Sequence, residues 1–237
     1  SFLILLSCFL RHKSLLHLSF RNISWKWKDL SAIIKTGLPS FFRQGLASIA
    51  TVMLNVNAAV YGDAAVAAMS VVGKVFMLIL SVLIGFGQGY QPVVGFNYGA
   101  GCYKRVKQSF TFTTIVSFVM MGILAVAGFI FAPQVIQLFT KADAQVLEIG
   151  TYAMRAQCLA LFIQPLGVIA NMTFQSIGKP AEATFLSACR QGVFFLPLII
   201  ILPQLWQLRG VELTQPLADV LTFVVCFPFL FKFFNDL

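Results

Sequence analysis

What most limits the folding of this chain is a succession of apolar runs, each long enough to cross a bilayer and each closed by charge, glycine or proline. Six can be bounded, at about 38–61, 64–95, 109–132, 146–177, 181–203 and 214–234. A helix rises 1.5 Å per residue, so roughly 20 apolar residues cover the hydrocarbon core of a membrane. Only 11% of the 237 residues are charged and 59% are hydrophobic, against about 25% and 45–50% in ordinary soluble domains. A soluble enzyme is excluded. No period-two alternation lasts long enough for a barrel. The fold class expected is an all-α polytopic membrane protein, a bundle of six transmembrane helices.

The breaks have chemical causes. Gly37 and Pro39 suit a helix start, because proline in a first turn loses no hydrogen bond. Gly62 and Asp63 predict a tight turn, Gly178 to Pro180 another, and Ala132 with Pro133 the end of the third span. The second run closes on Gly85, Gly87, Gly89, Pro92 and Gly95, which predicts a bent helical end reaching beyond the hydrocarbon. Pro165 near the middle of the fourth removes one backbone hydrogen bond and predicts a kink.

Charge placement gives the orientation. Arg11, Lys13, Arg21, Lys26, Lys28 and Lys35 precede the first full span; Lys104, Arg105 and Lys107 follow the second; Lys179 follows the fourth and Lys232 closes the sixth. All these segments fall on one side. The other holds Lys141 and Arg209 with Asp63, Asp143, Glu148 and Glu212. By the positive-inside rule the basic side is cytoplasmic, which predicts a multi-pass inner (plasma) membrane protein with both ends of the sequence in the cytoplasm. Topology thus accounts for the net charge of +9 without nucleic acid. The basic segment 11–35, with Trp25 and Trp27, suits an interface rich in anionic headgroups.

Polar residues inside the spans are the informative ones. Gln44, Ser48, Thr51 and Asn55 recur at steps of 4, 3 and 4, on one helical face. Ser70, Lys74, Ser81 and Gln88 form a second stripe, and Gln157, Gln164, Asn171 and Gln175 a third. One reading makes these stripes helix-to-helix hydrogen bonds, each contributing about 0.6–2 kcal/mol in a membrane. The other has them line a shared wet cavity, because an unpartnered carboxamide facing lipid costs several kcal/mol. Lys74, Arg155 and Arg190 lie two to three turns inside their spans, and each then needs a partner or water. Asp219 is the carboxylate expected to serve, paired with Lys74 or Arg155.

No catalytic arrangement emerges. There is no GxSxG, no Walker-type loop and no histidine placed as a base; the glycines of 85–101 lack the lysine and hydroxyl of a nucleotide loop. Cys8, Cys102, Cys158, Cys189 and Cys226 are scattered without CxxC spacing and read as small buried residues. His12 and His17 lack ligand partners, so no metal site and no cofactor are expected.

The block Gly85-Phe-Gly-Gln-Gly-Tyr-Gln-Pro-Val-Val-Gly-Phe-Asn-Tyr-Gly-Ala100, followed by Tyr103-Lys-Arg-Val-Lys107, resembles the cytoplasmic end of the eighth helix and next loop in the multidrug and toxic compound extrusion (MATE) family. Gly37-Leu-Pro-Ser40, the stretch 61–75 and Ser176-Ile-Gly-Lys-Pro180 are similar to further family segments. The likeness covers residues 37–235 and is to bacterial, staphylococcal and DinF-like pumps. It implies the second six-helix lobe of a twelve-helix fold at 37–237, with 1–36 as the tail of a preceding transmembrane helix and a basic interlobe linker. Ser1 opening inside an apolar run agrees with a sequence that starts partway through a helix.

The resemblance implies antiport: Na⁺ or H⁺ enters and drives a drug-like, usually cationic and amphipathic compound outward as two lobes rock, which would give antibiotic resistance. It also implies a first six-helix lobe as partner. Hinge or motif roles fall on Pro39, Gly87, Gln88, Gln91, Pro92, Asn97, Gly99 and Pro165; the cavity set is Gln44, Ser48, Thr51, Asn55, Lys74, Gln157, Gln164 and Asn171. Some members carry coupling carboxylates where this sequence has Ala47 and Pro165, which implies ion binding in the first lobe. Aromatic contact and the amides of Gln44, Asn55, Gln164 and Asn171 are then the means of holding substrate. Two other functions remain open: a lipid-linked oligosaccharide flippase, which would use Lys74, Arg155 and Arg190 on pyrophosphate, and a truncated membrane protein that transports nothing. On the efflux reading, Asn171→Leu and Gln164→Leu should each lower drug efflux at unchanged membrane abundance; unchanged resistance in both would return the stripes to helix packing.

Overall fold

A computed structural model describes residues 26–139 and 143–235. The apolar start, Cys8, the two histidines and most of the basic segment lie outside these, as does Lys141. The chain divides into two compact units, Ser1–Lys35 and Thr36–Leu237; of the first, the described residues form the opening turns of the first helix.

The described residues are helical throughout apart from short turns. In order they form α1 (Trp27–Ala59), α2 (Asp63–Gly99), α3 (Tyr103–Ile130), the short α4 (Ala132–Phe139), α5 (Ala144–Leu161), α6 (Gln164–Ser176), α7 (Pro180–Ala188), a π-helical turn (Cys189–Phe194), α8 (Phe195–Trp206) and α9 (Leu208–Asn235). Four helical stretches are long and apolar enough to cross a membrane: α2, α3, the continuous α7–α8 stretch Pro180–Trp206, and α9. The pair α5 and α6 makes a fifth if it is one span, bent by 54° at the break. The bend lies just before Pro165, which occupies the first turn of α6, where its missing N–H costs nothing.

The first expected span differs. Its helix begins at Trp27, not at Gly37, and Pro39 is a buried interior residue; an interior proline forfeits one backbone bond and need not end a helix. Arg43, Gln44, Asn55 and Asn57 make α1 more polar than the four apolar spans. The glycine-rich block likewise does not end in an irregular segment. It stays helical to Gly99, giving α2 37 residues, and the turn comes at Gly101 with φ 71°.

Helix α3 displays the logic of a membrane bundle. Val106, Phe110, Thr113, Ser117, Met121 and Ala125 are buried, whereas Phe112, Ile115, Val119, Ile123 and Val126 on the other face are exposed. Thr113, Ser117 and Ala125 point inward among larger apolar groups while the exposed face is wholly apolar, unlike the polar outer face of a soluble helix. The inward faces form two apolar clusters. One gathers Leu83, Ala125, Leu161, Phe195 and Ala218; the other gathers Tyr90, Val94, Ile169, Leu186 and Cys226. Along α9, along the α5–α6 pair and along the α7–α8 stretch, the cluster boundary falls at Asp219, Gln164 and Arg190 respectively.

Among the glycines that set close approaches, two differ in what they meet. A Cβ on Gly87 would collide with the Met172 thioether of α6, and one on Gly210 would strike the Leu202 backbone carbonyl. The second contact closes the α8–α9 turn, in which Gln207 takes a φ of 51°, normally glycine territory. Gly210→Ala should therefore lower stability by about 1–3 kcal/mol, as overpacking against a rigid neighbour does. Gly87→Ala meets only a flexible side-chain end and should cost less. Thermal melts in detergent would check this, and equal losses for the two variants would contradict it.

Candidate functional site

The third stripe leads to the centre of the molecule. Gln157 sits one turn before the end of α5 and Gln164 is the first residue of α6, so the two amides flank the bend. Both are buried, and both donate to the Asp219 carboxylate: Gln157 Nε2 to Oδ2 at 3.1 Å and Gln164 Nε2 to the same oxygen at 2.6 Å. Arg190 Nε, from the π-helical turn, donates to Oδ1 at 2.6 Å, and Gln215 Nε2, one turn earlier on α9, reaches that oxygen at 3.3 Å. Asp219 itself is 4% exposed. Its charge is met by a guanidinium and three amide N–H groups, which is what a buried carboxylate requires.

The expected partners of Asp219 are thus corrected. Neither Lys74 nor Arg155 pairs with it; Arg190 does. Lys74 lies exposed on α2, while the exposed Arg155 donates to the Phe129 carbonyl at 3.4 Å with its guanidinium over that ring. Residue counting gave the depth of each cation in its span but not its azimuth. The wider π-helical turn shifts the register of everything after Ala188, and no sequence pattern announces it.

The remaining stripe residues do not share a site with Asp219. Gln44, Ser48 and Thr51 are exposed on α1 and Asn55 is half-buried; the Ser48 and Thr51 hydroxyls donate to the carbonyls of Gln44 and Ala47 in their own helix. Ser81 likewise donates to Met77, and Gln88 is exposed. Asn171 is buried and its amide donates to the Ala183 carbonyl and to Ser187 Oγ at 2.8 Å on α7. Both bonds run from one helix to another, which is the geometry the packing reading describes.

Of the motif residues, Gln91 takes part in a cross-helix network at the end of the bundle away from Gln207. Gln175 Nε2 donates to Ser40 Oγ at 3.0 Å, and Gln91 Nε2 donates to Gln175 Oε1 at 3.3 Å, tying α1, α2 and α6 together. Beside them Tyr90 and Thr173 share a hydroxyl hydrogen bond of 3.0 Å. Asn97 donates to the Val93 carbonyl, Pro92 and Gly99 are exposed, and Pro165 is buried beside Gln164. Cys158, Cys189 and Cys226 are buried as expected; Cys102, at the α2–α3 turn, is half-exposed. Gln215 and Ser187 escaped the sequence reading. The only signal for Gln215 was its i,i+4 spacing from Asp219.

The MatE family model matches residues 39–201. Among curated relatives, the multidrug export protein MepA of Staphylococcus aureus (strain bovine RF122 / ET3-1) is 26% identical over 194 residues, 81% of this chain and 42% of that protein. MepA of Staphylococcus saprophyticus is 22% identical over 213 residues, covering 90% and 47%. The chain spans less than half the length of these relatives. An outward-facing multidrug resistance MATE family transporter of the MOP superfamily superposes with a TM-score of 0.89 at 23% identity, over 99% of this chain and 53% of that one. A MOP superfamily transporter from Pyrococcus furiosus gives 0.88 at 22%, over 98% and 53%. At such identities these structures establish the fold, a multi-pass helical one equal to about half of a MATE transporter.

Two outcomes follow from the geometry. Arg190→Gln strands a buried carboxylate and should cost about 3–5 kcal/mol, part of which Arg190→Gln/Asp219→Asn recovers; strictly additive detergent melts would contradict the coupling. Asn171→Leu removes two buried bonds and should lower the folded fraction in membranes, a revision of the constant abundance expected from sequence.

Proposed function

From the premise that this chain belongs to the MatE family of multidrug export transporters, we propose that its 37–237 segment works as the second lobe of a drug-exporting antiporter. A complementary six-helix lobe completes the transporter, and the two rock between inward-open and outward-open states as Na⁺ or H⁺ enters. The basic loops after the even-numbered spans and the segment before α1 lie in the cytoplasm on this reading.

The observation that carries the proposal is the neutrality of the interior at Asp219. The carboxylate is paired with Arg190 and accepts from three glutamine amides, so its approximately four lone-pair positions are all used. It has no vacant oxygen for a coupling ion, which supports ion binding in the complementary lobe. It also neutralises the charge of Arg190, which leaves Lys74 and Arg155 as the unpaired cations of the three considered from sequence. A flippase for lipid-linked oligosaccharide, which would use all three on a pyrophosphate, fits less well.

Substrate then meets a wall of weakly polar character: the exposed Gln44, Ser48 and Thr51 with half-buried Asn55 on α1, Lys74 on α2, and exposed apolar groups such as Val52 and Met77. Such a wall suits an amphipathic compound held by dispersion and amide contacts. The hinge roles of Pro39, Gly87, Gln88, Gln91, Pro92, Asn97, Gly99 and Pro165 belong to the same proposal. Gln91 and Gln175 gain support from the bond that joins α2 to α6 beside Ser40.

The test is complementation. Expressed alone in a drug-sensitive bacterium this chain should give no resistance to an amphipathic cation such as ethidium. Together with a first lobe from a MATE relative it should restore energy-dependent efflux, and Gln44→Leu should reduce that efflux at unchanged abundance. Failure of every first lobe to restore efflux, with both halves present in the membrane, would overturn the reading.

A further inference from the structure

Two irregular points inside the described spans touch one side chain. The break between α5 and α6 bends that pair by 54°, and Gln157 and Gln164 stand on either side of it. The π-helical turn Cys189–Phe194 interrupts the α7–α8 span, and Arg190 is its second residue. All three side chains donate to Asp219 on α9, the two glutamines to Oδ2 and the arginine to Oδ1. The carboxylate lies where the two apolar clusters adjoin, and its side chain is 1% exposed.

We infer that Asp219 is a clamp that holds both irregularities in register, through bonds that join the α5–α6 break and the Arg190-bearing π-helical turn to a single carboxylate on α9. The chemistry is directional. Straightening the α5–α6 pair would carry Gln157 and Gln164 apart along the axis, and one oxygen could no longer accept from both. A neutral amide in place of the carboxylate keeps one acceptor oxygen, gains an NH₂ group that faces donors, and loses the ion pair. The bend then has no single anchor. Arg190 depends on the same anchor, since a guanidinium among Phe76 and the apolar wall needs its counter-charge. This inference concerns the conformation of the lobe and does not depend on what the protein exports.

The experiment is a distance measurement in the full chain reconstituted into lipid. With the five cysteines replaced, spin labels go on Glu148, exposed on α5, and on Ser176, the half-buried last residue of α6. With about 20 Å of helix on either side of a break bent by 54°, complete straightening lengthens the separation of the labelled positions by about 4 Å at 1.5 Å rise per residue. Asp219→Asn should move the distance distribution toward that longer value or broaden it to include it, and Asp219→Glu should stay closer to the parent. Should Asp219→Asn fail to give a monodisperse protein, Gln157→Met and Gln164→Met take its place. Each deletes one donor at the break, keeps side-chain volume and leaves the Arg190 ion pair intact. A lengthened or broadened distribution in either supports the clamp. Distributions superimposable on the parent, in Asp219→Asn or in both glutamine variants, overturn it. Efflux by the complemented transporter is recorded separately, so that loss of transport without a distance change counts against the clamp and not against the exporter reading.

Discussion

A carboxylate inside an apolar bundle must be compensated or it will not stay charged and buried, and in this chain that requirement organises the centre of the bundle. Removing a charge from water costs several kcal/mol even after relaxation. Asp219 meets the cost with a guanidinium from one span and amides from the two halves of another. Three helical stretches thereby acquire fixed azimuths and heights relative to one another. The apolar clusters to either side contribute cohesion, but apolar contacts between helices in lipid have little directional preference. Directionality comes from the polar layer.

On the proposed function, the same layer bears on what this half contributes to transport. An interior carboxylate with free oxygens would be a natural ion ligand, and free interior arginines would favour a phosphorylated substrate. The Arg190–Asp219 pair weakens both options together. On the proposed reading, what remains toward α1 and α2 is a face of amides, hydroxyls, a lysine and apolar side chains, suited to varied amphipathic molecules rather than to one charge pattern.

The other end of the bundle is held differently. There the close contact of Gly87 with Met172 lets α2 and α6 approach, and Tyr90–Thr173 and Gln91–Gln175–Ser40 add bonds across the seam. Three segments recognisable in sequence, around Ser40, Gln91 and Ser176, come together in this region. Their glycine, glutamine and serine composition follows from the geometry: small residues permit close helices and amides bridge them.

Much of this was legible in the linear sequence. Apolar run length and charge between runs fixed the helical membrane class, and the turns at Gly62 and Gly178 fell where glycine was expected, because both have positive φ. Proline at 165 marked the bend. That an interior cation would meet Asp219 was legible too, although Lys74 and Arg155, counted to a similar depth, stay exposed. Azimuth was not. Which arginine reaches Asp219 depends on a π-helical turn that shifts every following side chain, and whether an amide faces a cavity or a neighbouring helix depends on where that neighbour lies. Stripe periodicity placed Gln164 and Asn171 on one face of one helix, yet one serves a buried ion pair and the other bonds to Ala183 and Ser187. Hydropathy and spacing are properties of a single helix, so the sequence determined the elements and their depths; partners are properties of pairs of helices, and only their packing could decide them.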